Sequence, residues 1–168
     1  PPRTIYRRIR ALPPGHFMIV QDQSPSSPQP YYSLRDEMGR TEDMDENESA
    51  LHIRESLLES VRCHMVADVE VGSFLSGGVD SSSLVGLMSE VHAGAISTVN
   101  LSFDVPDYDE GDLAASAAAF YGTRHHRIDI RLEEIRDQIK ESVYALDQPS
   151  VDGPNVYLVS KAAVEAGL

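Results

Sequence analysis

The chain of 168 residues carries a formal net charge of -13 and a single cysteine, and 41% of its residues are hydrophobic. This is enough apolar material for one domain with a core, whereas the acidic excess is unfavourable for nucleic-acid binding, which needs a basic surface. One cysteine excludes an internal disulfide, which favours a reducing compartment, and no apolar run approaches the roughly 18 residues of a membrane-spanning helix. We therefore expect a cytoplasmic protein with no membrane partner and, because of its acidity, no nucleic-acid partner.

The N-terminal part shows little apolar periodicity and many turn-forming residues. Residues 5–9 and 17–20 are short apolar stretches on either side of the breaker sequence LPPGH, and they predict two short strands. Residues 21–30 read QDQSPSSPQP, a composition that cannot bury much surface and predicts a loop. We therefore expect a short β segment over 1–34, an acidic solvated linker over 35–46 and a domain boundary at the end of that linker.

A helix, a strand and a second helix follow the linker. Residues 45–65 predict a helix because apolar residues recur on one stripe. The stripe consists of Leu51, Leu58, Val61 and Met65. The short apolar run VEVGSFL at 69–75 predicts a buried strand. Residues 81–91 predict the second helix, whose inner face would carry Leu84, Val85 and Met88.

The rest of the chain continues this alternation. Residues 96–103 and 125–130 predict two further strands, and the alanine-rich stretch 113–121 between them predicts a helix that the following glycine ends. Two more helices are predicted over 132–146 and 156–166. Strands that alternate with helices are typical of βαβ units, with a parallel sheet and right-handed crossovers. The predicted fold class is therefore α/β.

The sequence SGGVDSS at 76–82 lies between the first strand of this alternation and the helix after it. In an open α/β sheet, ligands bind beyond the carboxyl ends of the strands, where the free amides and the dipole of the following helix favour an anion. Gly77 and Gly78 allow the backbone a sharp turn and a close approach to the ligand. Hydroxyl donors are added by Ser76, Ser81 and Ser82, and the whole pattern predicts a site for pyrophosphate.

The loop differs from the common nucleotide-binding motifs. No Gly-Lys-Ser/Thr sequence follows it, so it is not a Walker A loop, and no dinucleotide fingerprint is present. Asp80 would repel a phosphate directly, and a bridging Mg²⁺ with Asp80 as its ligand is the reasonable way to seat one there. The alternative that the residues leave open is that Asp80 and Ser81 only cap the helix.

The loop and its flanks resemble a known enzyme family. SGGVDSS after an apolar strand is similar to the pyrophosphate loop of the ATP-pyrophosphatase superfamily, whose members cleave ATP between the α and β phosphates. Five stretches resemble, in chain order, blocks of the glutamine-dependent asparagine synthetases: TIYRRIRALPPGHFMIV, LLESVRCHMVADVEVGSFLSGGVDSS, TVNLSFD, YDEGDLAASAAAFYGTRHHRI and DQPSVDGPNVYLVSKAAVEAGL. The resemblance covers nearly the whole chain and implies the first part of a synthetase domain over residues 47–168.

The resemblance also implies a fold and a set of binding residues. The fold would be a Rossmann-like parallel sheet with helices on both faces, of the adenine nucleotide alpha hydrolase-like type, preceded over 1–34 by the end of a glutaminase-like β segment. ATP and its pyrophosphate would be bound by Phe74, Ser76, Gly77, Gly78, Val79, Asp80, Ser81, Ser82 and Leu101. Phe74 and Leu101 would contact the adenosine, and both side chains can serve as core packing at the same time.

The reaction implied by the resemblance is amide formation. ATP, with Mg²⁺ as the second cofactor, would adenylate a carboxylate, which is aspartate by resemblance, and release pyrophosphate. Ammonia derived from glutamine would then attack the acyl-adenylate and release AMP. The chain is expected to be a fragment whose catalytic residues lie mostly beyond Leu168, so that it does not turn over alone. The sequence leaves the oligomeric state open, a homo-oligomer included.

One departure from the family pattern keeps other functions open. The bacterial asparagine synthetases carry an arginine in the loop before YLVSK, whereas this chain reads QPSVDGPN and has Asp152 as the charged residue. This leaves open another carboxylate as the acceptor, as in a related amidotransferase or a cyclase, and a non-catalytic nucleotide-binding module is the remaining alternative.

The pair His125 and His126 suggests a metal, but adjacent residues of a strand point to opposite faces, which favours a structural role.

Overall fold

The computed structural model of the chain divides into two compact units, Pro1–Asp45 and Glu46–Leu168. The residues that the structure describes are 3–38, 44–105, 109–146 and 150–168. No helix in these ranges has both the length and the apolar character that crossing a membrane requires.

The first unit contains two short antiparallel ladders. Its strands are β1 (His16–Phe17), β2 (Val20–Gln21), β3 (Ser24–Pro25) and β4 (Gln29–Pro30), each of two residues. β2 pairs with β3 in a tight hairpin, and β1 pairs with β4. Most of the side chains on these strands are exposed, so backbone pairing and not a core orders this part of the chain.

Sequence and structure differ in this unit at three places. Residues 5–9, predicted as a strand, form bends and turns with one isolated bridge at their flanks. The strand predicted over 17–20 is divided between β1 and β2. The loop predicted over 21–30 contains strands, because Asp22 and Gln23 both adopt the positive φ that a two-residue hairpin turn requires.

The acidic segment after these strands begins with a short helix, α1 (Leu34–Met38), which has no buried residue. The solvated linker expected over 35–46 stays a prediction. The Ser33 side chain accepts a hydrogen bond from the Asp36 N–H, as an N-terminal cap does. Residues 39–43 lie outside the described residues.

The second unit is organised around a three-stranded parallel sheet. Its strands are β5 (Gly72–Phe74), β6 (Ser97–Phe103) and β7 (Arg124–Ile130), in the spatial order β5–β6–β7. Parallel neighbours need a crossover, and a helix lies in each connection, so the prediction of an α/β, Rossmann-like fold is confirmed. β5 is shorter than the strand predicted over 69–75, since Val69 is 77% exposed and lies outside the sheet.

Helices predicted from apolar periodicity surround this sheet. They are α2 (Glu46–His64), α3 (Val79–Val91), α4 (Gly111–Tyr121), α5 (Leu132–Ala145) and α6 (Gly153–Glu165). α3 and α4 begin two residues earlier than predicted and α6 begins three residues earlier. α4 ends as predicted at Gly122, whose φ of 65° is the left-handed conformation common after a helix C-terminus.

Helices cover both faces of the sheet. Ser102 of β6 lies against the start of α4, where a Cβ added at Gly111 would be 2.9 Å from the Ser102 Oγ. Val99 and Leu101 point to the other face, because alternate residues of a strand do so, and they share a cavity with Val159 of α6. The predicted arrangement with helices on both faces is therefore confirmed.

The core of the second unit includes two apolar clusters among the described residues. One joins α2 and α3 to the start of β6, and its buried members are Val61, Leu87, Met88 and Ile96. The other joins β5, α3 and α4, and its buried members are Leu75, Val85, Ala114 and Ala118. Leu51 and Leu84, predicted on the inner faces of α2 and α3, are 58% and 44% exposed, so the buried stripes are narrower than periodicity alone predicts.

Candidate functional site

The loop 76–82 leaves the sheet at the carboxyl end of β5. Leu75 is buried, and its N–H donates to the Val99 carbonyl at 2.9 Å, which extends the pairing of β5 with β6 by one residue. α3 then begins at Val79 after a turn of three residues. A strand, a short turn and a helix N-terminus thus follow one another, which is the order that an anion site at the edge of an α/β sheet requires.

Two serine side chains fix the shape of this turn. The Ser76 N–H donates to the Ser81 Oγ at 3.1 Å, and the two hydroxyls share a hydrogen bond at 2.9 Å. The Gly78 N–H donates to the Ser76 Oγ at 3.2 Å. Both hydroxyls therefore bond the loop to itself, and their predicted contacts with pyrophosphate stay predictions.

The start of α3 presents backbone donors to the turn. The helical ladder begins with the Ser82 N–H, which donates to the Gly78 carbonyl at 3.2 Å. The N–H groups of Val79, Asp80 and Ser81 precede it, and first-turn donors of this kind have no acceptor within their own helix. Together with the helix dipole they favour a bound anion.

The position of the helix start argues against a purely capping role for this sequence. The N-cap residue is Gly78, which makes no side-chain cap hydrogen bond, whereas Asp80 and Ser81 already belong to the first turn. Asp80 is exposed there. No group of three or more His, Cys, Asp or Glu side chains in the described part of the chain could hold a metal ion. A single carboxylate still suits Mg²⁺, which commonly binds through one or two carboxylates and substrate phosphates, and Mg²⁺ at Asp80 stays a prediction.

Gly77 lies against the start of α4. Its N–H donates to the Glu110 Oε2 at 3.0 Å, so a carboxylate of the chain itself meets one donor of the turn. A Cβ added at Gly77 would be 2.9 Å from the Cβ of Leu113, whereas one added at Gly78 would come no nearer than 3.2 Å, to the Ser76 Oγ. Close packing therefore requires a glycine at the first position and constrains the second one less.

A cavity of about 350 Å³ opens beside the turn. The residues predicted for ATP that line it are Phe74, Ser76, Ser81 and Leu101. The other predicted residues belong to the turn or the first helical turn without lining the cavity, and these are Gly77, Gly78, Val79, Asp80 and Ser82. The Val79 side chain is 80% exposed, so this residue would act through its backbone. The size of the cavity suits a small-molecule ligand.

Sequence reasoning missed several residues that line the same cavity. They include Phe103, Glu110, Asn155 and Val159. Phe103 could have been found from the strand, because it is two residues after Leu101 and therefore faces the same way. The residues from α4 and α6 carry no such signal, since only the tertiary fold brings these helices to the end of β5.

Asn100 lies beneath the turn and is 5% exposed. Its Nδ2 donates to the Leu75 carbonyl at 2.9 Å, so the side chain secures the end of β5 where the loop departs. Its Oδ1 is buried and has no hydrogen-bond partner among the described residues. An unpaired buried acceptor is unfavourable, and Asn100 lines the cavity, so the N–H or O–H of a bound ligand would satisfy it.

A charged network holds the start of α4 beside the turn. Asp109 accepts hydrogen bonds from the Ser102 Oγ at 2.6 Å and from the Gly111 N–H at 3.0 Å. The Ser102 hydrogen bond, followed by the Gly111 N–H and the charge of Arg127, holds the pKa of Asp109 below its usual value. Because Glu110 lies between Asp109 and Gly111 in the chain, this network positions its backbone.

The first histidine of the pair in β7 has a structural environment. His125 Nδ1 and Thr98 Oγ1 share a hydrogen bond at 3.0 Å. Burial lowers the pKa of His125, because a low-dielectric environment disfavours the charged ring. These contacts fit the structural role that the sequence favours for this residue.

Comparison with known proteins connects this geometry to a family. A family model described as asparagine synthase matches residues 52–168, which include β5, the turn, the cavity-lining strands and α6. The chain belongs to the asparagine synthase family. The match begins within α2, so this family assignment rests on the second unit and not on the short ladders before it.

Matches to individual relatives cover more of this asparagine synthase family chain than the family model does. It is 29% identical over 164 residues to asparagine synthetase [glutamine-hydrolyzing] 1 of Bacillus subtilis, covering 96% of this chain and 25% of the relative. It is 27% identical over 165 residues to amidase chyE of Penicillium rubens, covering 89% of this chain and 25% of the relative. The chain thus spans about a quarter of the length of these curated relatives.

A solved structure also resembles the chain. The NH3-dependent NAD synthetase from Campylobacter jejuni matches with a TM-score of 0.46 and 12% sequence identity. The match covers 70% of this chain and 52% of that one.

Proposed function

We propose that the chain forms the ATP-binding part of a synthetase that adenylates a carboxylate and converts it to an amide. The observation that carries the proposal is the loop 76–82, whose first-turn amides lie beside a cavity at the carboxyl end of β5. Membership of the asparagine synthase family supports the same class of reaction. The acceptor carboxylate, the use of ammonia from glutamine and the activity of the whole protein are parts of the proposal.

ATP would extend from the cavity to the turn. Phe74 and Leu101 line the cavity and offer apolar surface to the adenosine, while Asn100 offers its buried Oδ1 to a donor of the nucleotide. The phosphates would reach the backbone N–H groups of the turn and of the first turn of α3. Val79, Asp80 and Ser81 would supply N–H groups that have no acceptor within their own helix. Ser76, Gly77, Gly78 and Ser82 already donate their N–H groups within the chain, so they would exchange these hydrogen bonds for the phosphates or, as serines, contribute their hydroxyls.

Asp80 would hold Mg²⁺ against the phosphates. Its carboxylate is exposed in the first turn of α3, next to the donors that would receive the anion. When bound, Mg²⁺ would screen the phosphate charge that Asp80 otherwise repels, and one carboxylate with phosphate oxygens and water is a common set of ligands for this ion.

Adenylation would move negative charge onto pyrophosphate. An oxygen of the acceptor carboxylate would attack the α-phosphorus, the bond from that phosphorus to the bridging oxygen would break, and the electron pair would leave with pyrophosphate. The backbone donors at the start of α3 would stabilise this charge, because the helix fixes them in place before the reaction. Ammonia would then attack the acyl carbon, lose a proton and displace AMP, which leaves the amide.

A second candidate is the same chemistry on an acceptor other than aspartate. Asp152, the charged residue before α6, accepts a hydrogen bond from the Asn155 Nδ2 at 3.2 Å, and Asn155 lines the cavity. A negative charge near the cavity is unfavourable for an acceptor that carries two carboxylates. The relative in Penicillium rubens is named as an amidase and not as an asparagine synthetase, so relatives of similar identity differ in their named activity. A related amidotransferase and a cyclase would each be an enzyme of this second kind.

Exchange of labelled pyrophosphate into ATP, measured with a panel of carboxylic acids in the whole protein, separates these functions. Exchange that depends on aspartate supports asparagine formation, and exchange that depends on another acid identifies a different acceptor. A reaction without any acid is the control. If ATP binds while no acid supports exchange, the enzymatic proposals fail and a non-catalytic nucleotide-binding module takes their place.

A further inference from the structure

A carboxylate of the chain itself occupies part of the proposed phosphate site. Glu110 Oε2 accepts a hydrogen bond from the Gly77 N–H at 3.0 Å. This N–H is one of the backbone donors that the proposed function assigns to pyrophosphate. A carboxylate oxygen and a phosphate oxygen are both anionic acceptors, and both form strong hydrogen bonds to a backbone N–H, so the two compete for the same donor.

The fold directs Glu110 to the turn and away from its own helix. Glu110 is the N-cap residue of α4, a position whose side chain commonly accepts a hydrogen bond from its own first turn. It makes no such bond and instead reaches a residue 33 positions earlier in the chain. Its backbone is held by the hydrogen bonds of Asp109 with Ser102 and Gly111, so the carboxylate is kept within reach of the turn.

We propose that Glu110 is an internal competitor that sets the affinity of the turn for phosphate. The proposal rests on the proposed function of the loop. Without nucleotide, Glu110 holds the Gly77 N–H, and pyrophosphate has to displace it before this donor becomes available. The apparent affinity is then reduced by the fraction of molecules in which the carboxylate is displaced. Glu110 also lines the cavity, so the displaced side chain would remain next to the ligand.

Two substitutions of Glu110 separate competition from simple charge repulsion. Glu110→Ala removes both the charge and the competing acceptor. Glu110→Asp keeps the charge and withdraws the carboxylate by one methylene, so that it no longer reaches the Gly77 N–H. Glu133→Ala is the matched control, because Glu133 is an exposed carboxylate in the first turn of α5 and its loss changes the net charge by the same amount.

The test is a calorimetric titration of the whole protein with inorganic pyrophosphate in the presence of Mg²⁺. A hydrogen bond of this kind in an exposed position predicts that Glu110→Ala and Glu110→Asp bind pyrophosphate roughly twofold to tenfold more tightly than the wild type, with Glu133→Ala unchanged. Hydrogen exchange of the Gly77 N–H in the unliganded protein should also become faster in both Glu110 variants.

The possible results distinguish this inference from the function on which it rests. Tighter binding by Glu110→Ala alone would show repulsion without competition and would overturn the inference. Equal or weaker binding by both variants would also overturn it, while leaving the loop as the phosphate site. If neither the wild type nor the variants bind pyrophosphate or ATP, the proposed function fails and the role of Glu110 fails with it.

Discussion

At the scale of single residues, the carboxylates around the turn differ in what surrounds them. Asp80 is exposed in the first turn of α3, so its charge is available to a cation. Asp109 accepts hydrogen bonds from Ser102 and Gly111, so its charge is stabilised by groups of the fold itself. The sequence predicts a role for Asp80 because it belongs to a local pattern. It gives no sign of Asp109, because the Ser102 partner comes from the preceding strand and is placed only by the tertiary structure.

The role of Asp80 can be tested by removing its carboxylate. Asp80→Ala is expected to weaken binding of ATP roughly tenfold or more when Mg²⁺ is present, because the proposed metal ligand is lost. With the metal chelated, the variant should bind ATP no worse than the wild type, since repulsion from the carboxylate is gone. Calorimetry under both conditions measures the difference. Equal affinity of variant and wild type in Mg²⁺ would contradict the assignment.

The low pKa of Asp109 predicts a dependence of stability on pH. A carboxyl group whose pKa is lower in the folded state contributes stability above its unfolded pKa of about 3.9, and this contribution is lost as the pH falls through the folded value. Asp109→Asn keeps the size of the side chain and removes the charge that Ser102, Gly111 and Arg127 favour. We expect lower stability at pH 7 and a flatter decline below about pH 4, measured by urea unfolding. A pH profile identical to that of the wild type would contradict this account.

At the scale of elements, the turn is formed where α3 and α4 meet. Buried Ala114 and Ala118 of α4 pack against Leu75 and Val85, and small side chains allow this close approach. Periodicity predicts both helices and the strand between them, because each has a continuous apolar pattern. It does not predict that the start of α4 presses on Gly77, since that contact joins residues far apart in the chain. The sequence does not predict the hairpin in the first unit for a different reason, because its turn needs positive φ at Asp22 and Gln23, which is uncommon outside glycine.

The contact between α4 and the turn predicts unequal effects of two alanine substitutions. Gly77→Ala would bring its Cβ to 2.9 Å from the Cβ of Leu113, so the turn or α4 has to move. Such overpacking is expected to cost about 1 kcal/mol of unfolding free energy and to weaken pyrophosphate binding. Gly78→Ala is the matched control, since its Cβ would come no nearer than 3.2 Å, to the Ser76 Oγ. Urea unfolding and calorimetry compare the two variants, and equal losses would show that packing at Gly77 is not the cause.

At the scale of the whole molecule, a strongly acidic chain is proposed to bind a polyanion. A net charge of -13 repels ATP at long range. Backbone donors act only within hydrogen-bond distance, so the acidic surface weakens their hydrogen bonds to a phosphate less than it weakens long-range attraction. The sheet order β5–β6–β7 brings the carboxyl ends of the strands to one edge, where the turn, the cavity and the start of α4 meet. The sequence predicts this edge from the alternation of strands and helices, but the contribution of α6 to the cavity is a property of the folded unit.

The central claim is that the backbone of the turn receives the phosphates of ATP. The most direct measurement is a titration of the isotope-labelled whole protein with Mg²⁺ and inorganic pyrophosphate, followed through the amide resonances by NMR. We predict that the N–H signals of Gly77, Gly78, Asp80 and Ser81 shift in a saturable way. Signals at the opposite edge of the sheet, from Arg124 at the start of β7 and from Glu70, which forms an ion pair with it, should stay in place. Saturable binding that shifts the opposite edge and leaves the turn unchanged, or no binding at all, would contradict the claim.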